Sequence, residues 1–421
     1  MTKRMQQAIE LANNWESFFL TWEAWSGKST LVKYILQNIN KKNVVQVAPT
    51  WIAAINIWWA TIHNVFGISP NQTPWVWRKL DDKKTWVLEV LDMLIVDEVS
   101  MVRIDLIESM DKTLQYVRKN NFFMWWVQTI FVWDLLQLPP IIDDKLFHML
   151  KERKWYQSWY IFDYQWWKDA NIKTVILDKI FRQSDTQYIA ALNQIRKWEQ
   201  TQWTLNFLNE KCYWRNYDDK SIVLTPTNKL ADMYNMRAIN RLKSMDWVDY
   251  YQYKAEQHWF NEKEYPAPYL LRLVTWWRVM IVVNDPHWTY VNWTMWTFVQ
   301  PTEEWLLEIK KDNWETIFLE KYEWPKHVPV KTEDDEIDFA KVWQYSQYPI
   351  KYWWAITQHK SQWCTFESVY IDLGPRTFAT GQLYVALSRC KTLEWMTFSK
   401  PLEQRHVLTD KYVLWYLKKY D

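Results

Sequence analysis

Residues 17–40 place a short apolar run, SFFLT, directly before the turn-forming stretch WEAWSGKST and the amphipathic stretch TLVKYILQNIN. A buried strand that turns sharply into a helix returns to its own sheet by a crossover, so this opening predicts parallel β-structure. Six more β-branched or aromatic runs repeat the theme: VVQVA (44–48), MLIV (93–96), TIFV (129–132), TVIL (174–177), SIVL (221–224) and SVYI (368–371). Helical patterns such as LIESMDKTLQYV (106–117) lie between them. The expected class is α/β, with helices on both faces of parallel sheets. Residues 250–345 differ, being rich in Tyr, Glu, Pro and turn signals with short alternating runs, and read as a small antiparallel β insertion. The stretch 69–84 reads as a loop or small subdomain.

The turn after SFFLT has the spacing G-x-x-x-x-G-K-[ST] with Trp22 in the first glycine place and Gly27, Lys28 and Ser29 in the last three. Such a loop points backbone N–H groups at phosphate oxygens, sends a lysine to the β/γ-phosphates and gives a hydroxyl to Mg²⁺. The expected nucleotide-binding set is Trp22, Trp25, Ser26, Gly27, Lys28, Ser29 and Thr30, with ATP and Mg²⁺ as cofactors. MLIVDEVSM supplies an acidic pair at a strand end: Asp97 to hold Mg²⁺ with Ser29, directly or through water, and Glu98 to polarise the attacking water. In FVWDLLQLPP a third strand ends near Asp134 and Gln137, and the Gln137 amide is placed to sense the γ-phosphate.

Charge balance, 51 Lys+Arg against 49 Asp+Glu, excludes a polyanion-coating protein but not a local basic channel. Cys212, Cys364 and Cys390 stand far apart with no C-x-x-C pair, which argues against a disulfide framework or zinc cluster and for a reducing, cytoplasmic setting. MTKRMQQAIELANNWESFF lacks a signal-peptide apolar region, and no run of 18 apolar residues occurs, so a soluble protein is expected.

Nine blocks, in order, resemble superfamily 1B DNA helicases of the Pif type, relatives of RecD and Dda: TWEAWSGKST, APTWIAA (48–54), ATIHNVFG (60–67), VDEVSM, FVWDLLQLPP, FRQ (181–183), TPTN (225–228), WAITQHKSQW (354–363) and LYVALSRCK (383–391). The resemblance implies two RecA-like domains, ATP hydrolysis at their interface, and 5′→3′ movement on single-stranded DNA. The corresponding boundaries are 1–175 for the first domain, 176–250 with 346–421 for the second, and 251–345 for an SH3-like insertion. Lys28, Ser29, Asp97, Glu98 and Gln137 keep the roles above. Arg182 and Arg389 match the family's arginines that reach the γ-phosphate. Gln6 matches its adenine-reading glutamine, with Gln7 an equal candidate. DNA contacts are expected from Thr50, Thr61, His63, Thr357, His359, Lys360 and Ser361, with His63 as a core histidine the alternative. The partners implied are single-stranded DNA and replication or repair proteins, with the chain itself a monomer. Other readings are an inactive single-strand-binding protein, a RecD-like subunit of a nuclease complex and an RNA translocase.

The chain departs from that family in one direction. It has 4 Gly and 35 Trp, where average usage of about 7% predicts roughly 29 glycines. Tryptophan stands where the family has glycine at Trp22, Trp25, Trp51, Trp58, Trp59, Trp133 and Trp363, and Trp198, Trp276, Trp293 and Trp296 look alike. Trp354 fits a family aromatic. Indoles at Trp22 and Trp25 are expected to fill the phosphate space. Substitution by the bulkiest residue at so many glycine sites, with Lys28, Asp97, Glu98 and Arg389 intact, points to UGA codons read as glycine in the cell and translated here as tryptophan.

Overall fold

The computed structural model describes all residues except 1, 23–27, 40–42, 50–59, 69–79, 121–123, 125–126, 141, 143, 155, 171, 178–184, 200, 214, 216–220, 246–247, 258–266, 284–289, 291–293, 312–313, 332–336, 353, 363 and 420–421. It divides into two compact units: Met1–Ser184 with His327–Ala340 and Asp410–Asp421, and Asp185–Lys326 with Lys341–Thr409.

The first unit is built on strands β1 (Phe18–Trp22), β2 (Val44–Ala48), β3 (Ala60–Thr61), β4 (Met93–Val96), β5 (Gln128–Val132) and β6 (Lys173–Leu177). Their order is β3-β2-β4-β5-β1-β6, and every pairing is parallel. The central strands β4, β5 and β1 are buried throughout because helices cover both faces. Alternate residues divide between two cores: Phe18, Leu20, Trp22, Met93, Ile95, Ile130 and Val132 pack on one face, Phe19, Leu94, Val96 and Phe131 on the other. Helix α1 (Lys3–Asn13) is capped by Thr2, whose hydroxyl accepts the Met5 N–H at 3.2 Å. Its far end is tied to β5 by the buried Gln128 amide, which donates to the carbonyls of Ala12 (3.0 Å) and Glu16 (2.9 Å). Helix α2 (Lys28–Asn38) follows β1 and buries Leu31, Val32 and Ile35 against the same face.

The second unit carries a smaller parallel sheet of β7 (Ile222–Thr225) and three later strands, interrupted by the expected antiparallel insertion. The insertion opens with β8 (Tyr250–Lys254), β9 (Glu256–Gln257) and β10 (Leu270–Val274). A five-stranded antiparallel sheet follows, formed by β11 (Arg278–Ile281), β12 (Met295–Pro301), β13 (Leu307–Lys310), β14 (Thr316–Leu319) and, beyond β15 (Tyr322–Lys331) and β16 (Ile337–Gln347), β17 (Ile350–Tyr352). The parallel sheet then resumes with β18 (Ala355–Thr357), β19 (Val369–Ile371) and β20 (Met396–Phe398), in the order β18-β7-β19-β20.

Three expected boundaries move. Residues 176–184 and 410–421, read above as second domain, and residues 327–340, read above as part of the insertion, belong to the first unit. The helix Lys411–Leu417 places Val413 and Tyr416 in the first unit's core. Tyr416 stacks on Phe162 at 4.2 Å and its hydroxyl accepts the Trp167 indole N–H at 3.1 Å, while Asp410 accepts from the Tyr160 hydroxyl at 2.7 Å. An apolar helix at the chain's end carries no sequence mark of which core it covers.

Two groups stand out among the described tryptophans. Trp133, Trp167 and Trp296 are buried. Trp15, Trp198, Trp276, Trp305 and Trp314 are exposed, and each has a left-handed backbone, with φ between 59° and 67°. Trp198 ends the helix Thr186–Lys197: its N–H and that of Glu199 both return to the Gln194 carbonyl, the closing pattern that selects glycine. A side chain in this region costs about 1–2 kcal/mol, which glycine does not incur. Trp198 and Trp276 were anticipated as glycine-like positions; Trp305 and Trp314, in the β12–β13 and β13–β14 turns, were not.

Among the described residues no helix is long and apolar enough to cross a membrane. Cys212, Cys364 and Cys390 are buried and unbridged.

Candidate nucleotide and nucleic-acid sites

In the first unit, β4, β5 and β1 are neighbours and all parallel, so the residues following each strand emerge at one edge of the sheet. That edge is where parallel α/β sheets bind ligands. The segment after β1 leads into α2 at Lys28, the segment after β4 holds Asp97 and Glu98, and the segment after β5 holds Asp134 and Gln137.

Both acids after β4 are buried, Asp97 at 7% and Glu98 at 6% exposure. The Asp97 N–H extends the ladder by donating to the Val47 carbonyl at 2.8 Å, and its carboxylate accepts the Glu98 N–H at 2.9 Å. Glu98 has φ 53°, a left-handed conformation held in place by the short 3-10 turn Val99–Met101. Strain of this kind costs on the order of 1–3 kcal/mol and persists where the surroundings enforce it, commonly at functional sites. Asp134 is fully buried and organises its own turn, accepting the Leu136 N–H and the Gln137 side-chain amide, both at 3.2 Å. Gln137 is therefore oriented by Asp134 and half-buried at the edge.

The phosphate-loop residues Trp25, Ser26 and Gly27 lie outside the described residues, as do Thr50 and Arg182. Trp22 corrects an expectation: it ends β1, opposite Leu177 of β6, and packs in the core with Leu20, Leu31 and Val132 rather than in the phosphate space. Two-residue periodicity is the reason, since Phe18, Leu20 and Trp22 share one face. Thr30 is exposed on the first turn of α2. Gln6 and Gln7 are both exposed on α1, so burial does not choose between them.

Thr61 and His63 stand at the end of β3. The Thr61 hydroxyl accepts the Asn64 N–H at 3.2 Å and caps the short helix Ile62–Val65. His63 is half-buried, and burial, helped by the charge of Arg103, holds its imidazole below the usual pKa. A pKa below 6.5 leaves the imidazole mostly uncharged at pH 7.

In the second unit, Thr357 ends β18, and His359, Lys360 and Ser361 lie in the turn that follows it. The outcome divides them. Lys360 is exposed and His359 half-buried, whereas Thr357 is 6% exposed and Ser361 fully buried, its hydroxyl donating to the Gln358 carbonyl at 2.9 Å. Burial lowers the His359 pKa. Lys351 on β17, absent from the expected set, is pushed down to about 8 by burial, with the nearby Lys360 charge adding to the effect.

Arg389 is 8% exposed and anchors this same turn. Its Nη1 donates to the carbonyls of Ser361 (3.2 Å), Cys364 (3.0 Å) and Gln362, its Nε to Val385 (3.0 Å), and its Nη2 to the Ser388 hydroxyl (2.8 Å). The expectation concerned a phosphate; the structure shows a guanidinium that holds the segment carrying the candidate DNA contacts. Three buried amides were also missed. Gln358 and Gln362 have no side-chain hydrogen-bond partner among the described residues, and neither has the Gln382 Nε2. All three flank or lie within quoted blocks, but a buried glutamine has no sequence signature.

Comparison with known proteins follows the same lines. The sequence pattern described as PIF1-like helicase matches residues 2–213. The chain is 25% identical to an ATP-dependent DNA helicase Pif1 of Bdellovibrio bacteriovorus, covering all of this chain and 92% of that protein. It is similar to a crystal structure of Bacteroides sp Pif1 in complex with ADP-AlF4, at 30% identity and TM-score 0.88, over 100% of this chain and 96% of that one. It is also similar to Bacteroides Pif1 bound to ssDNA, at 30% identity and TM-score 0.71, with the same coverage.

Proposed function

The chain belongs to the PIF1-like helicase family, and from that membership we propose that it is an ATP-dependent DNA helicase moving 5′→3′ along single-stranded DNA. The observation that carries the reading is the buried Asp97–Glu98 pair at the end of β4, on the sheet edge where β1 hands over to α2. A carboxylate at that edge, beside the segment that leads into α2, is a hard oxygen ligand that fits Mg²⁺. Ser29 and Asp97 offer the hydroxyl and carboxylate oxygens that ion takes. Bound with ATP, it supplies charge neutralisation on the phosphates.

Within this proposal Lys28 holds the β/γ-phosphates, and Ser26, Gly27 and Thr30 line the loop. Glu98 orients and deprotonates the attacking water, and Gln137, steered by Asp134, registers loss of the γ-phosphate. Arg182 and Arg389 remain the γ-phosphate arginines of the reading, and Gln6 or Gln7 its adenine contact. Single-stranded DNA runs over Thr50, Thr61, His63, His359 and Lys360. The three buried thiols fit a reducing, cytoplasmic setting. Duplex unwinding tests the reading: strand displacement should require ATP and a single-stranded 5′ tail. Displacement from a 3′ tail alone would overturn the polarity, and none from either would overturn the activity.

We infer also that the tryptophans at family glycine positions are glycine in the protein as its own cell makes it, through UGA codons. Support comes from the five exposed tryptophans with left-handed backbones, each at a turn or helix end where glycine is favoured. The mass of the tryptic peptide Met5–Lys28 from native protein tests this at Trp15, Trp22 and Trp25 together. Tryptophan at all three, or UGG codons in the gene, would remove the inference.

A further inference from the structure

We propose that the C-terminal helix Lys411–Leu417 is a strap that pins the second unit to the first at the Thr409–Asp410 bond, the fixed point about which the second unit turns during ATP turnover. The proposal rests on the helicase reading and adds a conformational part to it.

The helix is held from outside. It runs for 7 residues, below the about 12–15 at which an isolated helix becomes even marginally stable in water. Asp410 starts it, its carboxylate accepting the N–H groups of Tyr412 (2.8 Å) and Val413 (3.3 Å). One face then goes to the first unit, with Val413 and Tyr416 buried. The Tyr412 ring lies on Phe162 at 5.5 Å, and its hydroxyl donates to Asp163 at 3.2 Å. Asp163 is itself fixed, accepting the N–H groups of Gln157 (2.6 Å) and Ser158 (2.7 Å) and the Lys168 ammonium (3.0 Å). With the Phe162–Tyr416 stack and the Tyr160–Asp410 bond, both ends of the helix are tied to residues 160–163.

The residues just before the helix are tied in turn to the second unit. The carbonyls of Arg405 and His406 accept from the buried Thr377 hydroxyl, both at 3.2 Å. The Leu408 carbonyl accepts the Gly381 N–H at 2.8 Å, and the Thr409 hydroxyl donates to the Ile195 carbonyl at 3.4 Å. Gly381 opens the helix Gln382–Leu387, whose far end leads to Arg389, and Ile195 is a buried residue of the helix Thr186–Lys197. Thr409 and Asp410 therefore hold different units, although neighbouring Cα atoms are only about 3.8 Å apart. A joint of that length has no slack. It passes a displacement on and permits rotation about its own backbone dihedrals, which is how a hinge behaves. A tail that served only to cover apolar surface would work equally well behind a longer linker.

That difference is the test. Inserting about six glycine and serine residues between Thr409 and Asp410 gives the joint roughly 13 Å of slack and leaves the ties on either side in place. Duplex displaced and ATP hydrolysed are measured together on the full chain with 5′-tailed DNA. The slack variant should keep DNA-stimulated hydrolysis and displace several-fold less duplex per ATP. The same insert after Lys419, beyond the helix, should change neither. If the slack variant does not fold, Tyr160→Phe combined with Tyr412→Phe takes its place: it removes two hydroxyl ties, keeps the rings, and should lower the ratio in the same direction. A ratio equal to the parent's in the slack variant, or in the double variant standing in for it, would overturn the proposal while the helicase reading stands. No displacement by the parent chain would overturn that reading, and the proposal with it.

Discussion

The two parallel sheets place their candidate chemistry at strand ends, but they hold it differently. In the first unit the reactive groups are short acids, Asp97 and Glu98, buried and fixed by backbone geometry, including the left-handed Glu98. In the second they are Lys360 and His359, on a turn that Arg389 pins by hydrogen bonds to its carbonyls. The first arrangement suits a fixed cradle for metal and phosphate, whose charges must be met at set distances. The second suits a binding surface whose shape depends on buried side-chain hydrogen bonds, because losing one donor leaves carbonyls unpaired.

Four changes break or sharpen that contrast. The largest effect belongs to Glu98→Gln, which should retain ATP binding and lower hydrolysis by about 10²–10⁴-fold; unchanged turnover would mean another group activates water. Next is Arg389→Ala, which leaves the Ser361, Gln362 and Cys364 carbonyls without their donor. It should cost on the order of 3 kcal/mol in denaturant unfolding and weaken nucleotide-free single-strand binding. An arginine acting only on phosphate would leave nucleotide-free binding untouched.

The third concerns pH. Burial raises Asp111 from an ordinary 3.8 to about 6, despite hydrogen bonds from Tyr164, the Met124 N–H and Gln115; the charge of Glu108 adds to the rise. A carboxyl whose folded pKa is raised holds its proton better when folded, so stability declines as pH rises from about 4 to about 6 and is level above. The decline attributable to Asp111 is on the order of 3 kcal/mol, and Asp111→Asn should flatten it in unfolding curves taken across that range. The smallest effect is Trp198→Gly in the chain as written here, which should stabilise it by about 1–2 kcal/mol. A loss of stability would contradict the reading of that helix end.

Much of this was legible from residue order alone. The strands around SFFLT, MLIV and TIFV follow from apolar runs bounded by turns, and the acid pair is recognisable because it ends one. Side-chain partnership was not. That Thr61 caps a helix, that Ser361 faces inward, and that Arg389 anchors the turn before Cys364 are tertiary facts with no periodic trace. Trp22 shows the same limit: its position in a loop pattern suggested a clash with phosphate, but its parity along β1 sends the indole into the core. The C-terminal helix was assigned to the wrong neighbour because amphipathicity names a face and not its cover.

The central claim is that the edge holding Lys28, Asp97 and Glu98 hydrolyses ATP in response to DNA. Steady-state ATP hydrolysis by the full chain, with and without single-stranded DNA and beside Lys28→Ala, tests it most directly. The account predicts turnover that single-stranded DNA stimulates and that Lys28→Ala abolishes while much of the DNA affinity remains. Equal turnover by Lys28→Ala, or no turnover from native protein shown by mass to carry glycine at positions 22 and 25, would contradict it.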